Sequence, residues 1–267
     1  MKIIVPIKQV PETSQVKINE ETGTVIRDGV ENIINPLDLY AVELAIQLKE
    51  EYGGSIVVIS MGPPKAETAL REAIAMGADE AILLSGKEFA GSDTRVTAYT
   101  LAALIRKMEP YDLIITGERA TDGDTGQVGP GIASFLDLPL STYTRKIERI
   151  YNRQIIVERL IEEGYERLQL SLPALLTVVK EIAYPRLPTL RGKQKARSMA
   201  IPVYSGRDIG IPEEELGLKG SPTRVIKIYR PQVTRKGKLF QVKDDHTLAE
   251  SIDLLISFME EKKILTG

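Results

Sequence analysis

The chain has 267 residues, 43% of them hydrophobic and 27% charged, with 35 Lys and Arg against 37 Asp and Glu for a formal charge of −2. Near-neutrality argues against wholesale attraction to nucleic acid, and no apolar run approaches the ~20 residues of a membrane span, so neither nucleic-acid binding nor membrane insertion is expected. With no cysteine there is no disulfide, zinc-thiolate, iron–sulfur or thiol chemistry, so any redox role must use a bound organic cofactor.

The opening Met1–Ile7 is too short for a signal-peptide core and reads as a first strand over Lys2–Ile7, which favours a cytoplasmic protein. Val16–Ile18 and Val25–Arg27 flank Glu20–Gly23 and predict a β-hairpin over the sheet end. Helical patterns over 38–52, 66–76 and 94–108 then alternate with strand-like runs at 55–60, 81–84 and 113–116. Such alternation predicts an α/β fold, a Rossmann-like parallel sheet with helices on both faces. Strands are also predicted over 142–149, 154–161, 165–172 and 174–179, read together as an antiparallel extension. From Tyr184 to about Gly220 the chain is rich in Pro, Gly and basic residues without a clear period, as expected of an arm or docking segment rather than core. A strand-like run at 224–229 and an amphipathic helix over 248–262 follow, the helix carrying Ile252, Leu255, Ile256 and Met259 on one face. The expected division is a nucleotide-binding domain over 1–183 and a C-terminal part, 184–267, that serves docking.

The loop Gly117–Pro130 carries the strongest chemical signal, because it joins a buried strand to an amphipathic helix start. Helix N-termini present unpaired N–H groups and partial positive charge, and glycines let an oxyanion approach the backbone. Ligands of open parallel sheets settle at such carboxyl ends, and other loops gather there. Lys8 follows the first strand and is either a solvated lysine or a partner for a phosphate or a reduced ring. Asn35–Asp38 reads as a turn capping the next helix. Met61–Pro64 follows the second strand, and Ser92 or Asp93 caps a helix whose first turns offer Thr94 and Thr97. Asp122 and Asp124 suit caps or ribose hydroxyls better than magnesium. Neither a P-loop nor a G-x-G-x-x-G fingerprint is present. The sole histidine, His246, has no nucleophile partner and makes a poor metal site, so no catalytic residue and no metal are assigned.

Taken in order, Val5–Lys8, Asp28–Val30, Asn35–Pro36, Ala75–Asp79, Asp122–Gln127, Leu170–Ala174, Pro185–Leu190 and the bases Lys193, Lys195 and Arg197 resemble the small (β) subunit of electron-transfer flavoproteins along nearly the whole chain. The resemblance implies an adenine-nucleotide-binding domain in a heterodimer with a larger α subunit that carries the electron-transferring FAD. In simple members the small subunit holds structural AMP. The implied nucleotide contacts are Pro6, Asn35, Pro36, Leu37, Asp38, Met61, Gly117, Glu118, Arg119, Ala120, Thr121, Asp122, Gly123, Asp124, Thr125, Gly126, Gln127 and Val128.

The run Asp122–Pro130 is similar to the electron-bifurcating branch, in which this subunit binds a second FAD and accepts electrons from NADH. Simple members often carry an acid at the position of Gly123, whereas glycine leaves room for a diphosphate. Thr94 and Thr97 match flavin-side positions of that branch. Gly126 stands where bifurcating relatives often have alanine. The segment 186–197 holds five bases and no acid, and the resemblance implies that it docks partner dehydrogenases, quinone reductase or ferredoxin-type acceptors through Leu190, Arg191, Lys193, Lys195 and Arg197. The rival from another class is a stand-alone nucleotide-binding or ATP-hydrolysing module, for which the sequence offers no evident base.

Overall fold

The computed structural model describes residues 1–12, 17–18, 25–26, 31–226, 237 and 239–264. The turn expected at Glu20–Gly23, the Asp28–Val30 motif and residues 227–229 of the strand expected at 224–229 lie outside them, and Arg224–Ile226 are not in a strand. The chain divides into two compact units, Met1–Lys227 and Ile228–Gly267.

The first unit is built on a nine-stranded sheet. Its strands are β1 (Lys2–Pro6), β2 (Ser55–Met61), β3 (Glu80–Leu84), β4 (Leu113–Gly117), β5 (Leu140–Tyr151), β6 (Gln154–Ile161), β7 (Gly164–Ser171), β8 (Ala174–Val178) and β9 (Val203–Tyr204), in the spatial order β7-β6-β5-β8-β4-β1-β2-β3-β9. Seven strands from β5 to β9 run parallel. Ile3, Ile4 and Val5 have no exposure at all, as a central strand covered on both faces requires.

Helices α1 (Pro36–Tyr52), α2 (Glu67–Met76) and α5 (Leu190–Ser198) cover one face, where Ile3 and Val5 meet Val42, Leu70 and Ala196. On the other face α3 (Thr94–Arg106) and α4 (Val128–Leu136) pack with Ile4, Leu101 and Ile132. The alternation of strand side chains thus divides the core into two layers.

The antiparallel extension expected over 142–179 is formed by β5, β6 and β7, β5 pairing antiparallel with β6 through Thr144–Tyr151. β8 instead joins the parallel body, inserted between β4 and the start of β5, to both of which it runs parallel. The reason is burial: all five residues of β8 are buried, which suits an interior strand and not an edge. The arm expected over 184–220 is also partly core. It supplies β9, the buried Ala196 of α5, and Ile209, Ile211 and Leu216 beneath α3. Residues 17–18 and 25–26 pair antiparallel, as a hairpin there requires.

Among the described residues of the second unit there is one helix, α6 (Asp245–Glu261), opened by Asp244, whose carboxylate accepts the Thr247 N–H at 2.9 Å. Ile252, Leu255 and Ile256 on it are exposed.

Candidate functional site

From β1 the chain proceeds outward to β2 and β3 on one side, then returns to place β4 on the other. The strand order therefore reverses between β1 and β4, and the crevice beyond their carboxyl ends is where open α/β sheets take ligands. Four segments meet there: Ile7–Lys8 after β1, the start of α1, the loop Glu118–Gln127 after β4, and the start of α4.

The loop is held open by its neighbours. Asn35, fully buried, gives its Nδ2–H to Arg119 O at 2.9 Å and takes the Thr121 N–H on Oδ1 at 3.2 Å. It makes no side-chain cap to α1, contrary to the capping expected of it, because both ends of its amide are committed to the loop; Pro36 at the first helical position needs no N–H partner. Asp38, 6% exposed, is likewise not a cap. Its carboxylate accepts the Lys8 N–H at 2.7 Å and also the Gly117 N–H, tying the ends of β1 and β4 together. Burial pushes its pKa up to about 7, against the pull of those hydrogen bonds and of the nearby Lys8 ammonium.

Within the loop, Asp124 sits at φ 56° and Gly126 at φ 61°, two left-handed residues that turn the chain into α4. The N–H groups of Thr125, Gly126, Gln127 and Val128 meet no acceptor among the described residues. Four adjacent free donors at a helix start are an arrangement able to receive an anion. Gly129 lies against the sheet: a Cβ there would stand 2.7 Å from Thr177 Cγ2 and 2.8 Å from Thr116 Oγ1, so only glycine lets α4 begin this close to β4 and β8. Gly123 faces open space.

The charged side chains are paired across the crevice. Lys8 Nζ lies 2.6 Å from Asp122 Oδ1, and Arg119 holds Asp124 at 2.7 Å and Glu118 at 2.9 Å. Asp122 and Asp124 therefore orient the two nearby cations rather than cap a helix. The start of α3 reaches the same place, since Thr94 Oγ1 donates to Gln127 Oε1 at 2.9 Å. Asp93 caps α3 by accepting the Val96 N–H at 3.0 Å, and Thr97 follows one turn after Thr94. Pro6 ends β1 and Met61 ends the adjacent β2, so both stand at the same sheet edge. Among the described residues no group of three or more His, Asp or Glu could hold a metal ion.

Residues 22–208 match the electron transfer flavoprotein domain. An electron transfer flavoprotein subunit beta of Thermoanaerobacterium thermosaccharolyticum is 45% identical, over 99% of this chain and all of the relative. This chain belongs to the electron transfer flavoprotein family. Within that family its similarity extends to the subunit CarD of the caffeyl-CoA reductase-Etf complex of Acetobacterium woodii, 44% identical over 99% of this chain and all of that one. Protein FixA of Azotobacter vinelandii is 46% identical over 88% of this chain and 86% of its own. The chain is thus of the β-subunit type.

The basic segment stands apart from the crevice. Arg186 is not a free surface charge: its guanidinium clasps Glu43, 3% exposed, at 2.8 Å and Glu50 at 2.6 Å, both on α1. Those contacts push the Arg186 pKa above its ordinary value, and they hold Glu43 below the usual carboxylate range although burial pushes it up. Lys195 donates to Ala78 O at 2.9 Å and so fastens α5 to the turn after α2. Arg191, Lys193 and Arg197 are exposed around Leu190, which is 87% exposed. Leu187, equally exposed, escapes the sequence reading; its place between two prolines, with no helical neighbour to cover it, is the signal that marks it.

Proposed function

We propose that this chain is the small subunit of a heterodimeric electron-transfer flavoprotein of the bifurcating type. It binds FAD in the β1/β4 crevice, receives electrons from NADH, and passes them through the FAD of a larger α subunit to partner oxidoreductases in the cytoplasm. The observation that carries the reading is the row of four unpaired N–H groups from Thr125 to Val128 at a topological switch point, in a chain of this family.

The residues present fit the group. The Thr125–Val128 amides would hold a phosphate, and Gly123 and Gly126 add no side chain of their own to the approach. Asn35 and Asp38 would keep the loop shaped before the ligand arrives, so that little ordering entropy is lost on binding. Lys8 and Arg119, already paired with carboxylates, would stand beside the phosphates, while Thr94 and Thr97 would line the side facing α3. When bound, FAD supplies the ring that accepts and releases electrons, and the protein supplies position and electrostatics. The likeness to a subunit of a caffeyl-CoA reductase-Etf complex supports the bifurcating assignment over structural AMP in the same crevice.

Residues 1–183 would form the nucleotide-binding part and 184–267 the docking part. Leu190 with Arg191, Lys193, Lys195 and Arg197 would meet dehydrogenases, quinone reductase or ferredoxin-type acceptors, and the exposed apolar face of α6 would pack on the α subunit. The test is to purify the chain with its α subunit and quantify released nucleotides. Two FAD per heterodimer support the reading; one FAD with one AMP assigns the simple type.

A further inference from the structure

Tyr143 is held in a conformation that a bulky residue seldom adopts. It lies in β5 at φ 53°, where the register with β8 shifts between Leu176 and Val178. An aromatic residue in the left-handed region costs about 1–3 kcal/mol and persists only when its surroundings impose it. The imposing group is Thr177 of β8, 2% exposed, whose Oγ1 accepts the Tyr143 N–H at 3.0 Å. The Cγ2 of the same Thr177 is the atom that leaves no room for a Cβ on Gly129. One buried side chain therefore sets both the start of α4 and the bulge that aims Tyr143. Next to the bulge, Ser141 Oγ and Thr144 Oγ1 meet at 2.9 Å, closing the buried polar groups on each other.

The tyrosine points at the free amides of the loop. Its hydroxyl stands 3.8 Å from where a Cβ on Gly126 would lie, and it has no hydrogen-bond partner among the described residues. Tyr143 is 44% exposed. A bulge beside a binding loop commonly serves to re-aim one side chain. Here it delivers a neutral hydroxyl from β5 to the loop, beside Gly126 in the run of free amides from Thr125 to Val128.

We propose that Tyr143 is a ligand-positioning residue whose hydroxyl donates a hydrogen bond to the phosphate held by those amides. The inference rests on the reading of the crevice as a nucleotide site and adds a specific donor to it. An O–H to a charged oxygen is the stronger class of hydrogen bond, and it fixes the phosphate from the side that the helix N–H groups do not reach.

The test uses the full-length chain, co-expressed with the α subunit proposed above and stripped of bound nucleotide, as wild type, Tyr143→Phe and Thr177→Val. AMP, FAD and adenosine are titrated separately. Tyr143→Phe should weaken AMP and FAD by about tenfold or more and leave adenosine within twofold. Thr177→Val, which keeps a branched side chain against Gly129 but removes the acceptor that holds the bulge, should show the same phosphate-selective loss. Equal weakening of adenosine would make the hydroxyl a structural group and overturn the proposal, and so would unchanged affinity for all three. If wild type binds none of the three, the nucleotide reading falls together with it; if wild type binds and only the variants' behaviour disagrees, the role of Tyr143 alone falls.

Discussion

Asn35 Nδ2 lies 2.9 Å from the carbonyl oxygen of Arg119, 84 residues further along the chain, and this bond joins the start of α1 to the loop after β4. With Asn35 Oδ1 on the Thr121 N–H, a single buried amide spans the crevice and shapes its glycine-rich wall before any ligand is present.

Replacing Asn35 by Ala should therefore act on stability and on ligand retention together. Two buried hydrogen bonds are lost and a loop carbonyl is left without its partner, a cost of about 1–3 kcal/mol. Chemical denaturation checks the first effect, and nucleotide content after gel filtration, which should fall, checks the second.

Asp38 predicts a pH dependence. Its pKa rises from an ordinary 3.8 to about 7 on folding, so the folded state favours the protonated carboxyl. Its contribution to stability is full below about pH 4 and is lost as pH rises toward 7. Asp38→Asn removes that titration. The stability of the variant relative to wild type should improve between pH 4 and 7, approaching about 1.4 kcal/mol for each unit of pKa difference. Urea melts of both proteins across that range measure it, and a gap independent of pH would contradict the burial argument.

Gly129 and Gly123 should respond oppositely to alanine. At 129 the new Cβ meets Thr177 and Thr116 inside 3 Å and forces α4 from the sheet, costing about 1–3 kcal/mol. At 123 it meets open space, and stability should stay within about 0.5 kcal/mol. Thermal melts of the two variants make the comparison.

Arg186→Ala should strand the buried Glu43 carboxylate on α1. Because Arg186 is itself a third exposed, the expected loss is about 2 kcal/mol, less than for a fully buried pair. Lysine at 186 should rescue little, since it cannot reach Glu43 and Glu50 with a planar fork. Denaturation midpoints of the Ala and Lys variants decide this.

Much of the first unit was legible because burial leaves a local trace. The run Ile3, Ile4, Val5 announces a strand covered on both faces, and Gly117 to Pro130 announces a strand-to-helix turn. Pairing leaves no such trace. Nothing local in Ala174–Val178 tells that it inserts between β4 and β5, since its partners are set by the rest of the sheet. The same limit hides Asn35, whose acceptor is 84 residues away, and Arg186, whose partners are 136 and 143 residues away. Both residue types have plausible local roles, a cap and a surface charge, and in each the tertiary contact wins. The buried Ile209, Ile211 and Leu216 are too few and too widely spaced among Pro and Gly to show a period.

The central claim is that the amides from Thr125 to Val128 receive a phosphate. Hydrogen–deuterium exchange of the full-length chain with its α subunit, with and without added FAD, tests it directly. Slowed exchange is expected in peptides covering 118–128, and secondarily in 35–38 where Asn35 and Asp38 brace the loop. Unchanged exchange over 118–128 with protection elsewhere in the chain would contradict it.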